Sequence, residues 1–86
     1  MKLLIHRNFK RSSKKLSREL RSKLREQLEI FSNNPLDKRL NNHALSGRYV
    51  NHRSIDLTGD WGVIFRKIND NTVLLVNIGT HSQLYG

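Results

Sequence analysis

Leu16, Leu20, Leu24, Leu28 and Phe31 recur at the spacing of one helical face, and the series stops at Asn33-Asn34-Pro35. Such a stripe specifies an amphipathic helix whose apolar side must be covered by another element. Proline cannot continue the helix and pushes the residue before it toward extended backbone. Ser17 is placed to cap the helix start, with Glu19 in the first turn. Arg18, Arg21, Ser22, Lys23, Arg25 and Gln27 fall between the leucines and predict a polar, basic outer face.

The cover for this stripe has to come from the rest of an 86-residue chain, which can bury one small core and so predicts a single domain over residues 1–86. Residues 2–6 read as an opening strand, and Asn8 as the cap of a short helix from Phe9 to about Leu16. After the proline, residues 36–47 show no periodicity and predict a connecting loop. Arg48 to Leu57 is strand-like, with Tyr49, Val50, Ile55 and Leu57 as its apolar members. Thr58-Gly59-Asp60 marks a turn, Trp61 to Ile68 a central strand, Asn69-Asp70-Asn71 a turn, and Thr72 to Ile78 the most β-prone run. The predicted order is β-α-α-β-β-β: an α+β domain with two N-terminal helices packed on one face of a small, mainly antiparallel sheet.

Sixteen Lys and Arg against seven Asp and Glu give a formal net charge of +9, which favours a polyanionic partner. Ten of the sixteen lie in residues 1–30, Lys14 and Lys15 among them, against Glu19, Glu26 and Glu29. The absence of cysteine excludes disulfides and Cys-ligated zinc and fits a cytoplasmic protein. Leu3-Leu4-Ile5 is too short for a secretory signal, and no apolar run approaches the roughly 20 residues that cross a bilayer, so no membrane role is expected.

The four histidines, His6, His43, His52 and His81, show no metal-ligand spacing, and neither a metal nor another cofactor is expected. His6 and His52 read as structural or solvated. No Gly-rich phosphate loop and no nucleophile-elbow serine is present. Thr80 and Gln83 have capping-box spacing, which predicts His81 in the first turn of a short terminal helix, beside unpaired N–H groups suited to an anion. Imidazole exchanges protons near neutral pH. This inventory suits RNA cleavage by its own 2′-hydroxyl, where the substrate supplies the nucleophile and the protein moves protons and neutralises the phosphorane.

The segment His43-Ala-Leu-Ser-Gly, Arg53, Gly59-Asp60-Trp61 and Gly79-Thr80-His81-Ser82-Gln83-Leu84-Tyr85, together with the element order and the helix-ending Asn-Pro, resembles the YafQ branch of the RelE/ParE toxin superfamily. The resemblance implies a ribosome-dependent mRNA endoribonuclease held in check by an acidic antitoxin. Carried across, it implies that His81 and His43 are catalytic, that Asp60 and Trp61 are the family's Asp-Trp pair, and that Tyr85 is its C-terminal aromatic. Asp60 is equally readable as a turn-former, Trp61 as a core or sheet-edge aromatic, His43 as a loop histidine, and Tyr85 as an anchor of the tail. Asp56 and Asn77 depart from the family's histidine and arginine, and Arg48, Arg53 or Arg66 is expected to replace the missing phosphate clamp. A ParE-like toxin acting on gyrase, or a basic nucleic-acid-binding module, is the alternative; a pure binder has no need of His81 with His43.

Overall fold

The computed structural model describes residues 1–86. Strand β1 (Lys2–Ile5) leads into helices α1 (Arg7–Ser13) and α2 (Arg18–Asn33). Strands β2 (His43–Ala44), β3 (Arg53–Asp56), β4 (Trp61–Asn69) and β5 (Thr72–Thr80) follow, and helix α3 (His81–Tyr85) completes the order. The sheet runs β1-β5-β4-β3-β2, with β1 parallel to β5 and every other pair antiparallel. The α+β architecture and the two helices on one sheet face are as the sequence predicts.

The leucine stripe does what its spacing requires. Leu16, Leu24 and Phe31 are buried against Val63, Phe65, Val73, Leu75 and Ile78 of the sheet, and Leu20 and Leu28 pack at the margin. The Phe31 and Phe65 rings meet edge-to-face with centroids 4.8 Å apart, a favoured aromatic geometry. Ser17 caps α2 by accepting from the Leu20 N–H at 3.2 Å.

Several boundaries differ from expectation. His6, not Asn8, caps α1: its Nδ1 accepts from the Asn8 N–H at 3.0 Å, doing with a ring nitrogen what a short polar side chain does elsewhere. The helix therefore runs earlier, and Leu16 is buried from the turn after it. The predicted loop 36–47 holds a 3₁₀ turn, Lys38–Leu40, whose Leu40 is wholly buried, and then β2. Arg48 and Tyr49 lie in a second 3₁₀ turn instead of a strand. Gly47 (φ 63°) and Asn51 (φ 68°) are both left-handed, so the chain turns twice before β3 begins at Arg53.

Two further features position the site. Between Ile64 paired with Asn77 and Phe65 paired with Leu75, β5 carries one extra residue, Val76. This bulge lets Leu75 and Ile78 both face the helices despite their odd spacing. Gln27, expected on the basic face of α2, is 3% exposed, and its Nε2 donates to the carbonyls of Arg39 at 3.2 Å and Asp56 at 3.0 Å. It ties α2 to the start of the β2 segment and the end of β3. Gln27→Leu should therefore lower stability by about 1–3 kcal/mol, the cost of leaving buried polar groups unpaired, read as a lower urea midpoint with an unchanged m-value.

Candidate functional site

Helix α3 is a single turn, too short to persist alone. Three contacts hold it. The Thr80 hydroxyl accepts from the Gln83 N–H at 3.2 Å while Gln83 Oε1 accepts from the Thr80 N–H at 2.9 Å, the capping box that the sequence predicts. Leu84 is buried over Gly62 and Gly79, which face one another across β4 and β5. A Cβ on Gly79 would stand 3.0 Å from Gln83 Oε1 and 3.3 Å from Leu84 Cδ2. Finally, Arg48 Nη2 donates to the Leu84 carbonyl at 2.6 Å, and its guanidinium lies 5.2 Å from the Tyr49 ring centroid, within cation–π range.

His81 is exposed on this turn. Its backbone N–H donates to the Asp60 carbonyl at 3.0 Å, which fixes the β3–β4 turn beside it. The Asp60 side chain is exposed and takes no part in shaping that turn. The Thr58 hydroxyl does so, accepting from the N–H groups of Asp60 and Trp61. The N–H groups of His81 and Gln83 are thus both consumed by protein acceptors. The expected anion site at the helix start is largely spent, because the neighbouring turn and the cap reach those donors first.

An aromatic row runs from His81 toward the 3₁₀ turn. The His81 and Tyr85 centroids are 6.0 Å apart, Tyr85 and Tyr49 6.2 Å, and Tyr49 and His52 5.7 Å. Arg48, Tyr49 and Tyr85 wall an open concavity of ≈ 530 Å³. Tyr49, which the sequence places only among the apolar members of a strand, and His52, which reads as structural or solvated, both belong to this row. Their neighbours Gly47 and Asn51, both residues tolerant of left-handed backbone, were the available signal that this stretch turns back over the sheet.

The other expected residues are dispersed. Trp61 is half-buried against the core and borders a second concavity on the far side of α3, together with Lys15, Asn77 and Gln83. His43 pairs with Ser54 on β2, three strands from β5, which is about 14 Å by strand spacing alone. Its Nδ1 meets the Asn41 carbonyl at 2.7 Å. A carbonyl can only accept, so Nδ1 carries the proton and Nε2 is the free acceptor. The Asn41 side chain donates to Asp56 at 3.0 Å, linking this histidine to the residue that departs from the family. Arg53 pairs with Phe65 on the helix side and donates to Asn42 at 2.7 Å. Arg66 pairs with Leu74, six residues from Thr80 and roughly 20 Å away along β5. Lys14 borders a hollow with Arg21 and Leu24, away from α3. Of the three arginines expected to replace the clamp, the fold brings Arg48 alone to α3, at the Leu84 carbonyl. No three His, Asp or Glu side chains converge as a metal site would require.

Residues 1–86 match the family described as the bacterial toxin of type II toxin-antitoxin system, YafQ. The chain belongs to the YafQ toxin family. Its fold is that of YafQ from Escherichia coli strain BL21(DE3), at 22% identity over 98% of this chain and 97% of that one, with a TM-score of 0.83. The YafQ chain of the E. coli DinJ-YafQ toxin-antitoxin complex superposes with a TM-score of 0.79, at 23% identity over 98% and 96% of the two chains. A YoeB/ParE toxin from Agrobacterium tumefaciens reaches 0.78 at 13% identity, over 94% and 99%. No curated protein matches this chain. No helix of this YafQ-family toxin is long and apolar enough to cross a membrane.

Because the terminal turn rests on the Gly62–Gly79 gap, Gly79→Val should unseat Leu84 and break the capping box. Overpacking of this kind costs about 1–3 kcal/mol. Amide exchange at Gln83 and Leu84 should accelerate about tenfold or more, with β4 amides little changed.

Proposed function

We propose that this YafQ-family toxin is a ribosome-dependent mRNA endoribonuclease that cleaves by attack of the transcript's 2′-hydroxyl. The observation that carries the reading is His81 itself: an exposed imidazole on a braced turn, its backbone N–H bound to the carbonyl of exposed Asp60, at one end of the aromatic row and on the helix whose Leu84 carbonyl Arg48 holds.

In the reaction, the 2′-oxygen loses its proton and attacks the adjacent phosphorus, and the bond from phosphorus to the 5′-oxygen breaks. That leaves a 2′,3′-cyclic phosphate and a 5′-hydroxyl. Asp60 is the base for the 2′-hydroxyl and His81 the acid for the leaving oxygen, a pairing that rests on the backbone hydrogen bond joining the two residues and on the exposure of both side chains. His43 meets the RNA at a neighbouring nucleotide through its free Nε2. Tyr85 and Trp61 offer stacking surfaces on either side of α3, and Arg48 charge to the phosphorane. The ordering of the RNA in line is left to the ribosome, which the exposed basic residues of α1 and α2 engage through rRNA phosphates. Such a protein works in the cytoplasm.

The partner is an acidic antitoxin. A net charge of +9 calls for neutralisation, and the related YafQ of E. coli is found in complex with DinJ. A general acid contributes about 10²–10⁴-fold. His81→Ala should accordingly lower cleavage at least about 10²-fold, abolishing both growth arrest and new mRNA 5′ ends in cells. A 2′-deoxy sugar at the scissile nucleotide should block cutting by the wild type. Equal growth arrest by wild type and His81→Ala, without new mRNA ends, would turn the reading toward gyrase.

A further inference from the structure

The concavity on the Trp61 side of α3 has an unusual chemistry: both side-chain amides that line it leave an NH₂ donor free, while the Ser12 hydroxyl spends its proton on Asn77. Asn77 Oδ1 accepts from the Ile78 N–H at 2.9 Å and from the Ser12 hydroxyl at 3.2 Å, so the amide cannot be flipped and Nδ2 is left without a protein acceptor. Gln83 is fixed in the same way, since its Oε1 must accept from the Thr80 N–H, leaving Nε2 unpaired. Lys15 stands on the same wall, exposed and in no ion pair. No acidic side chain lines the hollow, and Trp61 forms part of its rim.

From this we infer a phosphate subsite for single-stranded RNA, formed by the Lys15 ammonium with Asn77 Nδ2 and Gln83 Nε2. The inference deepens the ribonuclease reading and rests on it for the identity of the polyanion. Lys15 reaches in from the turn after α1, across the α1–β5 contact that the Ser12–Asn77 bond fixes. An RNA phosphate suits the site better than a protein carboxylate because Trp61 places an aromatic ring beside the charge, where the base next to that phosphate can stack. Since α3 is the ridge between this hollow and the one walled by Tyr49 and Tyr85, both bordered by Leu84, a strand lying in the two passes over the turn that carries His81.

The test is binding without turnover. A labelled single-stranded RNA pentamer with 2′-O-methyl sugars at each position is titrated with the full-length protein over a range of salt, beside a 2′-hydroxyl pentamer followed for cleavage. Lys15→Gln is expected to weaken binding about tenfold, the loss of one charge-assisted contact, and to flatten the slope of log affinity against log salt by about 0.7, one phosphate on a single strand. Lys67→Gln, on β4 and ion-paired with Asp70, should change neither. The side-chain amide protons of Asn77 and Gln83 should shift in the NMR spectrum when the pentamer is added to wild type. An unchanged slope with Lys15→Gln overturns the subsite. So does a variant that binds RNA normally but loses affinity for a poly-glutamate peptide, which would assign the hollow to an acidic partner. These readouts do not depend on cleavage, so failure of the ribonuclease reading, seen as undiminished cutting by His81→Ala, is a separate result.

Discussion

Two glycines facing each other across β4 and β5 hold the site in place, because the space where their side chains would stand is where Leu84 sits. A five-residue helix has no stability of its own, and burial of one leucine is worth about 1.5–3 kcal/mol. With the capping box contributing about 1 kcal/mol more, the turn is held by a few kcal/mol at most. Everything chemical about residues 77–86 depends on that seat. It sets the height of His81 above the sheet, brings Tyr85 to Tyr49, and keeps Gln83 on the wall of the hollow that Lys15 borders.

Much of the fold is legible in the sequence because the terms that decide it are local and repeated. Five apolar residues at helical spacing outweigh any single propensity, and a proline after two asparagines admits little choice of boundary. The capping box is legible for the same reason: two side chains three residues apart satisfy each other with no tertiary help. What the sequence does not disclose is set by long-range partners. Gln27 looks like a surface residue until the Arg39 and Asp56 carbonyls arrive beneath it. Arg48 to Val50 has strand propensity, yet left-handed residues on both sides fold it into a bracket over α3. Strand β2 is two residues long and carries no pattern at all.

The candidate site divides along the same line. His81, Asp60 and Tyr85 lie around one terminal turn, with Trp61 on the other side of α3, because they flank one turn and one pair of adjacent strands, which sequence order largely dictates. The cations could not be sorted that way. Arg48, Arg53 and Arg66 all read as strand residues, but Arg48 sits in a 3₁₀ turn beside α3, and register puts Arg53 on the helix side of β3 and Arg66 further along β4. The basic cluster of the N-terminal third divides too: Lys14 and Lys15 are adjacent in sequence but open onto different hollows. The helix-end donors, attractive on paper, are occupied by Asp60 and Thr80, and the unsatisfied donors are side-chain amides a few ångströms further along the chain.

The extra residue at Val76 has a consequence for how such a protein can change. Side chains along a strand alternate between faces, so the count of residues from the bulge to the end of β5 sets the phase of Asn77, Ile78 and Thr80 together. Removing one residue there would leave composition almost untouched and yet send Ile78 to the wrong side and swing the terminal turn about the strand axis. The placement of the terminal turn is therefore set by a length as much as by a set of letters, and β5 should accept substitution more readily than insertion or deletion.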